Sequence, residues 1–141
     1  MEHNTELIKE IFQNSEMSKD VLNRLIKICD DANLRAALAD EFAQYHEIMC
    51  EASKVGDERN IQLKPRSRCK NAIFSGISLN AMIDKTSSHL AEMVVQGSTM
   101  GIIDMTRAVK EFSGADENVV KLAEKLLETE KNNVEKMLEF V

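Results

Sequence analysis

At 141 residues the chain has the length of one domain, enough to bury roughly two-thirds of the surface that its unfolded form exposes, so no second domain is required. Its formal net charge of −6, from 24 acidic against 18 basic residues, argues against a nucleic-acid binder and against a membrane-surface protein, both of which need a basic face. One proline, five glycines and no tryptophan, in a background of Ala, Leu, Glu, Lys and Met, favour helix throughout, and the predicted class is all-α.

The first helix is predicted to start from an Asn4 or Thr5 cap and to run to about Cys29, with Leu7, Ile8, Ile11, Phe12, Leu22, Leu25 and Ile26 on one face. That face has a polar gap at its middle, where Ser15, Ser18 and Lys19 continue the stripe and Glu16 sits beside it. Met17, Val21 and Ile28 form a second apolar line, which predicts a partner on that flank. Asp30 and Asp31 break the helix, and Asp31 is the expected cap of a second one through about Val55. A link this short makes the two antiparallel neighbours. The second stripe is the cleanest in the chain: Leu34, Leu38, Glu41 with Phe42, Tyr45, Ile48 with Met49, Ala52 and Val55. Glu41 lies on its edge, and Gly56 is expected to end the helix in a left-handed conformation.

From Asp57 to Pro65 the sequence is polar and irregular, and a third, shorter helix follows with Ile73, Phe74, Ile77, Met82 and Ile83, ending near Asp84. Thr86 is the expected cap of the fourth helix. There Leu90, Met93, Val94, Gly97, Met100, Gly101, Asp104, Met105, Ala108 and Phe112 recur at three- and four-residue steps. Two glycines one turn apart inside a helix each cost about 1 kcal/mol relative to Ala, and close approach of a neighbouring helix is the expected compensation at Gly97 and Gly101. Ser113 and Gly114 close this helix. Asp116 then caps a fifth, with Val119, Val120, Ala123, Leu126, Leu127, Glu130, Val134, Met137, Leu138 and Val141 directed inward. At about 1.5 Å per residue, four of the five helices match at roughly 35 to 40 Å and the third is shorter. The expected architecture is one four-helix bundle domain over residues 1–141, with the shorter helix as a crossover that leaves its flanking helices parallel, as in ferritin-like topology.

Such a bundle can hold a carboxylate-bridged dimetal centre, which needs one Glu from each of two helices and a Glu-x-x-His from each of the other two. Glu16, Glu41 and Glu130 lie near their helix centres, but the residues three positions after Glu41 and Glu130 are Gln44 and Asn133, and amides are poor ligands for iron. The fourth helix offers Gln96 centrally and Glu92 a turn further out, where His89 and Glu92 form an i, i+3 pair in its first turns. His46 falls beside the Tyr45 stripe, and His3 precedes the fold. Glu130 is the sharpest oddity, because a buried carboxylate must be paired or neutralised; Asp104 holds a similar inward position. A polar cluster of Glu16, Glu41, Gln44, Asp104 and Glu130 with water is the expected core feature, with or without a metal. Cys29, Cys50 and Cys69 are odd in number and lack C-x-x-C spacing, so free thiols are expected rather than a disulfide or zinc site. Lys64, Arg66, Arg68 and Lys70 form a basic cluster that reads as solvated surface, with docking of an acidic partner as the alternative. No nucleophile elbow, P-loop or dinucleotide fingerprint is present. The opening MEHNTE has no basic and apolar leader pattern, and the longest uncharged run, Met93 to Ile103, falls short of the roughly 18 residues of a membrane span, so the expected compartment is the cytoplasm.

The stretch NTELIKEIFQNSEMSKDVLNRLIKICDDANLRAALADEFAQYHEIM resembles the first helical hairpin of small rubrerythrin-like, ferritin-like bacterial proteins of unknown function, and SHLAEMVVQGSTMGIIDMTRAV looks like a segment recurrent in short uncharacterised proteins of spore-forming anaerobes. The resemblance implies a ferritin-like bundle and Glu16 as the counterpart of the first-helix metal glutamate. The missing histidines after Glu41 and Glu130 depart from that pattern. The expected function is therefore a non-catalytic helical bundle, a structural or protein-interaction module with a degenerate ferritin-like core. Its expected partner is a second copy or another protein, with no nucleic acid, no membrane, no catalytic residues and no cofactor. The alternative is a ferritin-like metalloprotein that binds iron or manganese through Glu16, Glu41, Glu92 and Glu130.

Overall fold

The computed structural model describes residues 2–64 and 84–141, and these form four α-helices: α1 (Glu2–Ile28), α2 (Ala32–Glu58), α3 (Ser87–Glu111) and α4 (Glu117–Leu138). Among the described residues there is no strand, and no helix is long and apolar enough to cross a membrane. The expected crossover helix, with Cys69, Arg66, Arg68 and Lys70, lies outside the described residues; Lys64 is exposed.

Contacts between helix ends set the directions. Asp31, before α2, accepts from Ser87 Oγ at the start of α3 (2.9 Å), so these two helices start side by side. Arg59, after α2, reaches Asp116 at the start of α4 (2.9 Å), and Asn4 near the start of α1 reaches the same aspartate (3.1 Å). Thus α1 and α4 run one way while α2 and α3 run the other. Within the bundle α1 packs closely on α2 and α3 on α4; α1 also touches α3 and α4, and α2 touches α4. The core is aliphatic, with Leu7, Ile8, Ile11, Leu25, Leu34, Leu38, Ile48, Leu90, Met105, Leu126 and Met137 fully buried. Each such side chain contributes roughly 1.5 to 3 kcal/mol relative to exposure.

Two of the expected caps form. The Asp31 carboxylate accepts from the N–H groups of Leu34 (3.0 Å) and Asn33 (2.8 Å), and the Leu34 N–H and Ser87 hydroxyl hold its carboxyl below the ordinary range. Thr86 Oγ1 accepts from the His89 N–H (3.3 Å). The ends of the chain's other helices differ from expectation. α1 begins at Glu2, so Asn4 does not cap it; Asn4 is buried, and its Oδ1 accepts from the Asp116 N–H (2.6 Å) while its Nδ2 donates to the Asp116 carboxylate. Asp116 sits at the cap position of α4, yet its side chain serves Arg59 and Asn4 instead of α4's own N–H groups. His3 does not precede the fold: its Nδ1 accepts from the Gly114 N–H (2.9 Å), and its ring stands edge-on to Phe112. Gly56 does not end α2 either. The helix continues to Glu58, the left-handed residue is Asn60 (φ 56°), and Gly56 is buried where Leu63 folds back over it.

Asn4→Ala should lower stability by about 1 kcal/mol, because it removes both part-buried hydrogen bonds to Asp116 and loosens the tie of the α3–α4 turn to α1. Urea denaturation checks this; an unchanged midpoint would show that the junction contributes nothing.

The inward line of α3 also differs from expectation. Leu90, Ala91, Val94, Ser98, Met105 and Ala108 are buried, whereas Gly97, Met100 (59% exposed) and Asp104 face outward. Among the described helices α3 packs against α1 and α4 but hardly against α2, which covers a narrow stripe, and the neighbouring line of the same period is exposed. The space around Gly97 is open, with nothing within 4 Å of a β-carbon built there, so close packing does not explain that glycine. Leu138 and Val141, expected inward, are exposed, while Met137 is fully buried and Phe140 packs against the core. On α1, Val21 and Ile28 pack against the core and Met17 is half-buried, so the second apolar line is largely covered within the chain.

Candidate functional site

The middle of the bundle carries a polar layer. On α2, Glu41 and Tyr45 stand four residues apart on the buried face; on α4, Glu130 and Asn133 stand three apart, also about one turn; on α3, Ser98 points inward. Glu41 is 1% exposed and Glu130 is 0% exposed, so Glu41 lies inside the core rather than on its edge. Both carboxylates act on the Tyr45 hydroxyl, and Asn133 and Ser98 lie close to it without forming well-aligned hydrogen bonds. Among the described residues neither glutamate finds a hydrogen-bond partner for either oxygen, and the Tyr45 hydroxyl and Asn133 Nδ2 are likewise unpartnered.

Burial dictates the protonation of these groups, because transfer of an unpaired charge out of water is costly. It pushes the Glu41 carboxyl up to about 8, against the pull of Lys136 and with a further push from Asp40. It pushes Glu130 up to about 8 as well, with the Asp104 charge adding to the effect. Tyr45 is raised by burial first and then by Glu130 and Glu41. Both glutamates are therefore mostly neutral near pH 7, acids that can donate a hydrogen bond as well as accept one.

Glu130 is accommodated by Gly101 of α3. A β-carbon at position 101 would collide with Glu130 Oε2 and would stand 3.4 Å from Asn14 Nδ2 of α1. The glycine thus opens a notch for a side chain from the next helix rather than a helix–helix backbone contact.

Of the four glutamates weighed as metal ligands, the structure brings Glu41 and Glu130 into this layer. Glu16 is half-buried on α1, and Glu92 is exposed and accepts from Gln96 (3.3 Å). Gln44 turns to Asp40 (3.4 Å) and Asp104 is exposed, so neither joins the cluster as expected; Tyr45, Ser98 and Asn133 take their place. His89 is half-buried in the first turn of α3, and His46 is exposed, with Lys19 Nζ on its Nδ1 (2.8 Å) and Cys50 Sγ 3.6 Å from its Nε2. Cys29 is buried and Cys50 exposed, both free thiols. Among the described residues no three of His, Cys, Asp and Glu come together in a metal-holding group. Iron or manganese dimetal chemistry asks for bridging glutamates with imidazoles one turn away, and amides stand at both of those positions, so the donor set does not fit that centre. Tyr45 as a member of the layer was foreshadowed only by its position one turn after Glu41; Asn14 had no signal in the sequence.

No protein-family model, curated protein or solved structure matches this chain.

Proposed function

We propose that this protein is a non-catalytic helical-bundle module of the cytoplasm, structural or protein-binding, with a ferritin-like helix arrangement and a core layer that lacks the dimetal donor set. The observation that carries this reading is the composition of the layer: two carboxyls, Glu41 and Glu130, with a phenol, an amide and a hydroxyl, and with His46 and His89 outside it. The helix directions, with α1 and α4 opposed to α2 and α3, support the ferritin-like arrangement. The partner in this reading is a second copy of the chain, supported by Met100 and Ile103, which are exposed side by side on the outer line of α3 next to the open Gly97. Sedimentation at high concentration is the check on that part, and a monomer at every concentration would remove it.

One observation favours the second reading, an iron- or manganese-binding protein: four carboxyl oxygens stand in the core without partners among the described residues. Metal analysis separates the two. Protein grown with supplemented iron and manganese and purified without chelator should carry far less than one of either ion per chain. Near-stoichiometric iron or manganese that Glu16→Ala and Glu130→Ala both abolish would replace the first reading with the second.

A further inference from the structure

Around Gly101 the interior holds oxygens without hydrogen-bond partners among the described residues. The Glu130 carboxylate from α4 and the Asn14 amide from α1 both close on the α-carbon of Gly101, in the middle of α3. Asn14 Nδ2 donates to the Gly101 carbonyl (3.1 Å). A carbonyl only accepts, so this bond fixes the amide's orientation and leaves Asn14 Oδ1 as the second acceptor. That oxygen and both oxygens of Glu130 are buried with no hydrogen-bond partner among the described residues, and Glu130 is 0% exposed. Asp104, one turn further along α3 on the solvent side, is the charged side chain that acts on Glu130, and it carries the same sign. What this place lacks is a partner that takes oxygen lone pairs.

We propose that Glu130, Asn14 and Asp104 form a binding site for a hard divalent cation of the calcium or magnesium kind, entered from the Asp104 side. A carboxylate, an amide oxygen and a second carboxylate are all hard oxygen donors, the set that suits these ions, and water completes the coordination. On binding, the cation displaces the proton that burial holds on Glu130, ligates the three unpaired oxygens and offsets the Asp104 charge. Gly101 is required because any β-carbon would occupy the place of the Glu130 carboxylate. The site shares only Glu130 with the four-glutamate set, contains no nitrogen ligand, and does not depend on whether the bundle is catalytic.

The test uses the full chain stripped with EDTA and dialysed free of it. Calorimetric titration and thermal melts with calcium chloride and with magnesium chloride, at matched ionic strength in sodium chloride, should show one saturable site per chain and a rise in Tm for at least one of the two ions. Asp104→Asn, a surface change that keeps the fold, should weaken the response by at least about tenfold. Glu130→Gln, of the same size and able to donate to Asn14 Oδ1, should abolish it. No saturable heat or melting shift with either ion, a shift that sodium chloride reproduces, or a response that Asp104→Asn leaves intact would overturn the site. Iron retained by the untreated protein would bear on the proposed function and not on this inference.

Discussion

In chelating buffer, a rise from about pH 5 to about pH 9 should remove several kcal/mol of this protein's stability. Glu41 and Glu130 each have a folded-state value near 8 against an ordinary 4.5. Between those values the folded chain holds protons that the unfolded chain releases, so stability falls as pH rises. The contribution is fully present below about 4.5 and is lost as pH passes through about 8. At about 1.4 kcal/mol per pH unit, each carboxyl accounts for on the order of 5 kcal/mol, and the two together approach the whole stability of a domain, roughly 5 to 15 kcal/mol. Asp31 and Asp116 work in the opposite sense: their lowered carboxyls stabilise above the ordinary aspartate range and release that stability as the solution becomes strongly acidic. The stability maximum is therefore expected on the mildly acidic side. Urea midpoints across this range would show it, and Glu41→Gln with Glu130→Gln should flatten the alkaline fall. A midpoint that stays level or climbs from about pH 5 to about pH 9 would mean that the buried carboxyls are ionised and compensated in the fold.

The two glycines of α3 should respond in opposite directions. Gly101→Leu is expected to destabilise by about 3 kcal/mol or more, because its β-carbon alone collides with Glu130 Oε2 and stands 3.4 Å from Asn14 Nδ2. Gly97→Leu should instead raise stability by up to about 1 kcal/mol, since nothing lies within 4 Å of its β-carbon and the helix gains propensity. Glu130 ends in a flexible carboxyl, so Gly101→Ala could in principle be absorbed by its swinging aside; it is held by complete burial. The coupling is measurable. In a Glu130→Ala background Gly101→Ala should lose most of its penalty, with an interaction energy of about 1 to 2 kcal/mol. Additive effects, or two glycines that behave alike, would contradict the notch.

The sequence by itself determined the four described helices and most of the core. Period 3.6 is a local property: the stripes of Leu7 to Leu25, Leu34 to Ala52 and Val119 to Met137 follow from residue spacing, as do the caps at Asp31 and Thr86, whose partners lie two or three residues away. It also marked Glu41 and Glu130 as charges interrupting apolar stripes. Only the tertiary structure decided how far each helix is rotated about its axis. On α3 two adjoining lines fit the same period, and the contacts with α1 and α4 cover the one with Ser98 while leaving Gly97, Met100 and Asp104 in the open. It alone decided that Asn4 serves Asp116, 112 residues away, instead of capping its own helix. It alone placed Gly101 opposite Glu130, with Asn14 from a third helix closing the notch. These are pairings between side chains on different helices, and the spacing along any one helix carries no information about what its neighbour presents at the same height.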